Sequence, residues 1–155
     1  MFVGGGPQRA KIGHEVTERR LTNVVFYPYQ PRERLRYSLT VPDVHIISLR
    51  SELEGLIVPS KFYGIAAAGR PTLFIGDQEG EIPRLLHQYD CGITVAEKNS
   101  NELANHLKRL AESPERCQQM GRNARQIFER LFNKPIPLGL WREVLLRKEY
   151  PARLG

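Results

Sequence analysis

Short apolar runs alternate along the chain with longer stretches of helical periodicity, the pattern of repeated βα units around a mostly parallel sheet. The predicted strands are Phe2–Val3, 23–26, 43–49, Thr72–Ile75 and Gly92–Val95. Each is short and apolar, as expected of strands covered on both faces. Between them, 7–20, 31–39, 59–68 and 81–89 have helical length, and Pro7, Pro31 and Pro59 each suit a first helical turn. Beyond the last strand the pattern is helical only, with Leu103, Leu107 and Leu110 on one stripe and Met120, Ala124, Ile127 and Leu131 on another. Asn99 with Glu102 has capping-box spacing, and Ser113 before Pro114 reads as an N-cap. Pro135 and Pro137 then break the chain before a last helix within 136–150, whose apolar part, from Leu138 to Leu146, carries Trp141 toward an apolar surface. The expectation is an α/β fold, a three-layer parallel sheet flanked by helices, forming one domain over 1–155.

Composition changes this picture little. A chain of 155 residues is long enough to bury about 70% of the surface exposed when unfolded. Hydrophobic residues at 41% and charged residues at 26% are ordinary for a globular domain, and no apolar run approaches the roughly 18 residues of a membrane span. Cys91 and Cys117 lie far apart with no metal-ligating neighbour, so a reducing compartment is expected. The net charge of +6 would attract phosphates, nucleic acid or an anionic membrane, yet the basic residues are interspersed with acids and no nucleic-acid motif accompanies them. The densest basic group, Arg142, Arg147, Lys148 and Arg153, surrounds Trp141 and Tyr150; it reads either as a membrane-surface contact or as a solvated tail. A doubly wound sheet rarely begins as abruptly as Phe2–Val3, so the chain is expected to be a piece of a longer protein lacking at least one earlier βα unit.

Candidate chemistry concentrates after the predicted strands, where open α/β sheets hold their ligands. From Glu54 the sequence passes through a turn into a small-residue helix ending at Gly69, with Ser60 and Lys61 in its first turn. Unpaired N–H groups, a hydroxyl and an ammonium there suit a phosphate or diphosphate; a capped helix bearing a surface lysine is the plainer alternative. Glu52 and Glu54 either accept hydrogen bonds from sugar hydroxyls or are solvated loop acids. Gly76-Asp77-Gln78-Glu79-Gly80-Glu81 fits hydroxyl recognition better than a bare phosphate, or is a polar turn. Tyr27-Pro28-Tyr29-Gln30-Pro31 either offers an aromatic face to a nucleobase or is a rigid turn. Gly4-Gly5-Gly6 is followed by Arg9 where a dinucleotide fingerprint needs its third glycine, which argues against nicotinamide or flavin binding. His14, His45, His87 and His106 form no triad or metal pattern, and no metal site is expected.

Glu54-Gly55, the segment from Ala66 to Pro71, the apolar strand after it and the acidic glycine-containing loop resemble the donor-binding half of glycosyltransferase family 4, the retaining group 1 enzymes. The similarity is greatest to members with a Val-Pro-Ser-Lys run, here Val58 to Lys61, which include enzymes of bacterial surface polysaccharide assembly. The resemblance implies the C-terminal Rossmann-like lobe of a two-lobed GT-B transferase, with a nucleotide diphosphate sugar as donor and no cofactor. It implies that Glu54 and Lys61 are catalytic, that Glu54 with the backbone of Gly55, Leu56 and Ile57 holds the sugar, and that Ser60 and Lys61 face the diphosphate. Tyr29 and Gln30 would flank the base. A metal-independent transferase must neutralise its departing diphosphate with fixed cations and N–H dipoles.

One departure matters. Gly64 occupies the place of a second glutamate that in many members binds the ribose, so either Glu79 or Glu81, in a loop whose Gly80 is also expected at the donor, holds the ribose instead, or donor affinity is reduced. The acceptor lobe, the first basic unit of this lobe and the acceptor itself, with lipid-linked molecules as candidates, would lie outside this chain. The expected location is cytoplasmic, with peripheral contact at the inner membrane face as a further expectation. A non-catalytic nucleotide-sugar-binding or scaffold module is the alternative, and an epimerase or phosphorylase would want a histidine or cofactor-lysine pattern that the sequence lacks.

Overall fold

In the computed structural model, which describes residues 1–146, every predicted strand segment contributes to a parallel ladder, but the ladders form two separate sheets. The chain groups into two compact units, Met1–Val41 and the residues from Pro42 onward. The basic and aromatic positions Arg147, Lys148, Tyr150 and Arg153, and the 147–150 end of the expected last helix, lie outside the described residues.

The first unit contains β1 (Phe2–Val3), α1 (Arg9–Glu18), β2 (Phe26–Tyr27), a 3-10 turn (Arg32–Arg34) and α2 (Leu35–Thr40). β2 starts three residues later than the 23–26 expected, because its partner sets the ladder: Phe2 N donates to Val25 O at 2.8 Å and Gly4 N to Tyr27 O at 3.0 Å. Phe2 stacks on Phe26 with centroids 5.4 Å apart. Arg9, standing where a dinucleotide site would have glycine, donates from Nη1 to Gly4 O at 2.7 Å and lies over the Phe26 ring. None of residues 1–41 is buried.

The second unit holds the core. Its strands β3 (His45–Ser48), β4 (Thr72–Ile75) and β5 (Gly92–Val95) pair in the order β3-β4-β5, with His45 opposite Thr72 and Thr72 opposite Gly92. Helices α3 (Lys61–Ala67), α4 (Glu81–Gln88), α5 (Ser100–Glu112), α6 (Pro114–Ile127) and α7 (Pro135–Leu146) follow the chain order, with a 3-10 turn at Ser51–Leu53 and a π turn at Phe128–Phe132. Leu73 and Phe74 of the middle strand are fully buried, and the core also includes Phe62, Ile65 and Ala66 of α3, Ile82 and Leu86 of α4, and Met120, Ala124 and Ile127 of α6. Each large side chain so buried contributes about 1.5–3 kcal/mol of transfer free energy. The sheet tolerates no side chain at Gly92, where a Cβ would overlap the Thr72 carbonyl.

Helix ends follow local chemistry. α3 terminates in a Schellman motif: Gly69 takes φ 67°, its N–H donates to Ala66 O, and Arg70 N donates to Ile65 O. Arg125 Nη1 donates to Ala67 O at 2.5 Å, placing a guanidinium at the negative end of that helix. Asn99 caps α5, its Oδ1 accepting from Glu102 N, while Glu102 Oε2 accepts from Asn99 Nδ2 and not from the Asn99 backbone N–H, which donates to Ala96 O. Ser113 caps α6 by position, with no side-chain bond.

Two expectations at the C-terminal side are corrected. Pro135 and Pro137 do not precede the last helix but open it, which the first turn permits because its N–H groups have no intrahelical acceptor. Trp141 reaches no apolar surface among the described residues: it is 64% exposed, and Leu138, Leu140, Val144, Leu145 and Leu146 are exposed with it.

Candidate functional site

The loops leaving β3 and β4 line an open cavity of about 690 Å3 within the second unit. One wall comes from Ser51, Glu54, Gly55, Ile57 and Val58, beyond the C-terminal end of β3. The other comes from Asp77, Glu79, Gly80, Glu81, Arg84 and Leu85, beyond the end of β4. The site therefore lies off the carboxyl ends of parallel strands, where no side chain is needed to complete the sheet.

Glu54 joins the two walls. Its Oε1 accepts from Glu81 N at 3.1 Å, across 27 residues, and so caps α4 from another loop while Gly80, the residue at the N-cap position, has no side chain to do it. The fit is close, since a Cβ on Gly80 would overlap the Glu54 carboxylate. Asp77 Oδ1 accepts from Glu79 N at 2.9 Å, closing the turn that precedes Gly80. Four carboxylates (Glu54, Asp77, Glu79, Glu81) face one guanidinium, Arg84. Such a lining offers many acceptors for hydroxyl donors and repels a bare anion. Tyr63 of α3 feels this field: burial raises its phenol, and the Glu81 charge raises it further.

A second cavity, of about 430 Å3, shares Ile57 with the first and is lined also by Arg50, Leu53, Glu97 and Lys98. There Glu97 Oε1 accepts from Ser51 N at 2.6 Å and Ser51 Oγ at 2.8 Å. Those two bonds, the backbone one first, hold the Glu97 carboxyl below the usual carboxylate range.

The family model for glycosyl transferases group 1 matches residues 1–127. The chain belongs to that family. It is 23% identical over 137 residues to a Pseudomonas aeruginosa protein named "Probable glycosyltransferase WbjE", covering 88% of this chain and 34% of that one. It is 27% identical over 94 residues to the Escherichia coli (strain K12) protein named "Putative colanic acid biosynthesis glycosyl transferase WcaI", covering 61% of this chain and 23% of that one. The chain thus spans about a third or less of the length of the curated relatives it matches. Among solved structures, sucrose-phosphate synthase from Thermosynechococcus elongatus superposes with a TM-score of 0.72 at 23% identity, over 92% of this chain and 37% of that one. That likeness gives the group 1 chain the fold of a GT-B lobe, as its motifs implied.

Of the residues singled out from the sequence, the structure brings Glu54, Gly55, Ile57, Glu79, Gly80 and Glu81 to the one cavity. Leu56 is 74% exposed and does not line it. Ser60 occupies the N-cap position of α3 with helical φ and ψ and no side-chain cap bond, and Lys61 is the first residue of that helix; neither lines a described cavity. Tyr29 and Gln30 belong to the first unit, where Tyr29 is 85% exposed and Gln30 Nε2 donates to Pro28 O at 3.0 Å. Gly64, in the place of the ribose glutamate, sits half-buried on α3. Sequence reasoning missed Ser51, Arg84 and Leu85. Arg84 and Leu85 were accessible in principle, because three or four residues past Glu81 is the same helix face.

Proposed function

We propose that this chain is the donor-binding lobe of a glycosyltransferase that moves a sugar from a nucleotide diphosphate sugar to an acceptor in cell-surface polysaccharide or glycolipid synthesis. The observation that carries the reading is the convergence of Glu54 and the 77–81 loop on one hydroxyl-accepting cavity at the strand ends. In this reading Glu54, Glu79 and Glu81 accept hydrogen bonds from sugar hydroxyls, and the backbone at Gly55 and Ile57 closes around the ring. The diphosphate is assigned to Ser60 and Lys61, two and three residues past cavity-lining Val58.

Retention and metal independence come with the group 1 resemblance. The departing diphosphate is neutralised by Lys61 and by fixed N–H groups, and one of its oxygens takes the acceptor proton on the face the leaving group vacates. Calorimetric titration of UDP-sugars and GDP-sugars into the complete polypeptide tests binding. Saturable binding weakened by Glu54→Ala and Lys61→Ala is expected, and no saturable binding by the wild type overturns the proposal. Gly64 favours a second reading, a nucleotide-sugar-binding module that has lost ribose recognition and catalyses nothing. Sugar transfer by the complete protein to a lipid-linked acceptor rejects that reading.

A further inference from the structure

The turn that carries Glu54 has little of its own to hold it in place. Ser51–Leu53 is a single 3-10 turn, closed by Leu53 N to Arg50 O at 2.9 Å and Glu54 N to Ser51 O at 3.2 Å and continued by Leu56 N and Ile57 N to Leu53 O at 3.1 and 3.2 Å; all three of its residues are exposed. A short exposed turn of this kind opens easily unless something external fixes it. Glu97 supplies that fixing. It stands two residues beyond the end of β5, and its Oε1 receives both the N–H and the hydroxyl of Ser51, the first residue of the turn. Because β4 lies between β3 and β5, the bond joins the two loops that flank the β4 loop, and the β4 loop contains the Gly80–Glu81 segment that receives Glu54.

We infer that Glu97 is a positioning residue: through Ser51 it fixes the turn that delivers the Glu54 carboxylate to the N-terminus of α4 and to the cavity. The inference rests on the donor-binding reading of Glu54 for its functional consequence, but its geometric content stands apart from it. Glu97 is not itself in the first cavity's lining, and the bonds it accepts there come from Ser51, so its influence on a ligand there passes through the turn. Its depressed carboxyl agrees with a charge held by two donors.

Two measurements on the complete polypeptide test this. The first is amide hydrogen exchange at Glu81, whose N–H reports whether Glu54 is in place and which needs no ligand. Glu97→Ala is expected to raise that exchange about fivefold or more, Ser51→Ala, which leaves the backbone donor, by less, and Glu97→Gln least, since an amide oxygen still accepts both bonds. The second is the affinity for a panel of UDP-sugars and GDP-sugars in a double-mutant cycle. Glu97→Ala is expected to weaken binding in the wild-type background and to change nothing further once Glu54→Ala is present. Unchanged Glu81 exchange in a folded Glu97→Ala variant overturns the inference, as do fully additive losses in the cycle. A wild type that binds no sugar nucleotide overturns the donor-binding reading instead, and the exchange experiment then still decides the positioning.

Discussion

Replacing Gly80 by alanine separates the site from the fold, because the added methyl meets a side-chain end and not the backbone. A Cβ at Gly80 would lie 2.6 Å from both Glu54 carboxylate oxygens, so the carboxylate must leave. The backbone itself accepts alanine, with φ −68° and ψ 172° at that position. Folding loses the cap on α4, about 0.5–2 kcal/mol, and regains about 0.4–1 kcal/mol from the smaller entropy of the unfolded chain. The net stability change is therefore small, from a gain of about 0.5 kcal/mol to a loss of about 1.6 kcal/mol. Donor binding loses a charged acceptor worth about 1.5–3 kcal/mol, which is a 10- to 150-fold weaker Kd. Thermal unfolding and calorimetric titration of the same sample measure both quantities. A variant that melts near the wild type and binds its sugar nucleotide equally well would refute the assignment of Glu54, whereas one that unfolds outright would refute the argument that its displacement costs the fold little.

Gly121→Ala should behave in the opposite way. Its Cβ would overlap the Gly69 carbonyl where α6 crosses the end of α3, so denaturant unfolding is expected to show a loss of about 1–3 kcal/mol. Arg116 and Asp90 form a two-bonded pair at 2.5 and 2.6 Å, but both side chains are about half exposed, and Arg116→Ala should cost less than about 1 kcal/mol by the same measurement. The Cys91 thiol is pushed up to about 12, chiefly by burial and further by Asp90. At pH 9 roughly one native thiol in a thousand is ionised, against about half in the unfolded chain, so iodoacetamide should label Cys91 hundreds of times more slowly before unfolding than after. The sign follows from a raised folded value: this contribution to stability is complete below the unfolded pKa near 9 and fades as pH rises toward 12.

The strands of the second unit were legible because each is a short apolar run bounded by turn residues, and the runs at Thr72–Ile75 and Gly92–Val95 form with the bounds expected. The first unit was less so, since Val24 and Val25 look as strand-like as Phe26, and only pairing with Phe2 and Val3 decides which of them enter the ladder. Proline and tryptophan misled for related reasons. A proline at Pro135 breaks a helix in its interior and suits one at its start, and the sequence does not say which side of the residue the helix lies on. An apolar stretch such as Leu138 to Leu146 signals what a helix would bury, not what stands beside it; in α7 no residue is buried.

At the site, residue types and the relation between them were legible to different depths. Glu54, Glu79 and Glu81 could be selected because acids beyond strand ends are acceptors near a binding edge. Their mutual arrangement could not, since the bond from Glu81 N to Glu54 spans 27 residues and that from Ser51 to Glu97 spans 46. Contacts of that separation depend on strand order, and strand order here places the β4 loop between the loops of its two neighbours. One consequence explains why a glycine stands at Gly80. The N-terminus of α4 needs an acceptor, and a residue with its own capping side chain would fill the space that the Glu54 carboxylate takes. The missing side chain at the helix start and the acid in the distant loop are two halves of a single arrangement, in which stabilising α4 and aiming a carboxylate into the cavity are done by the same atoms.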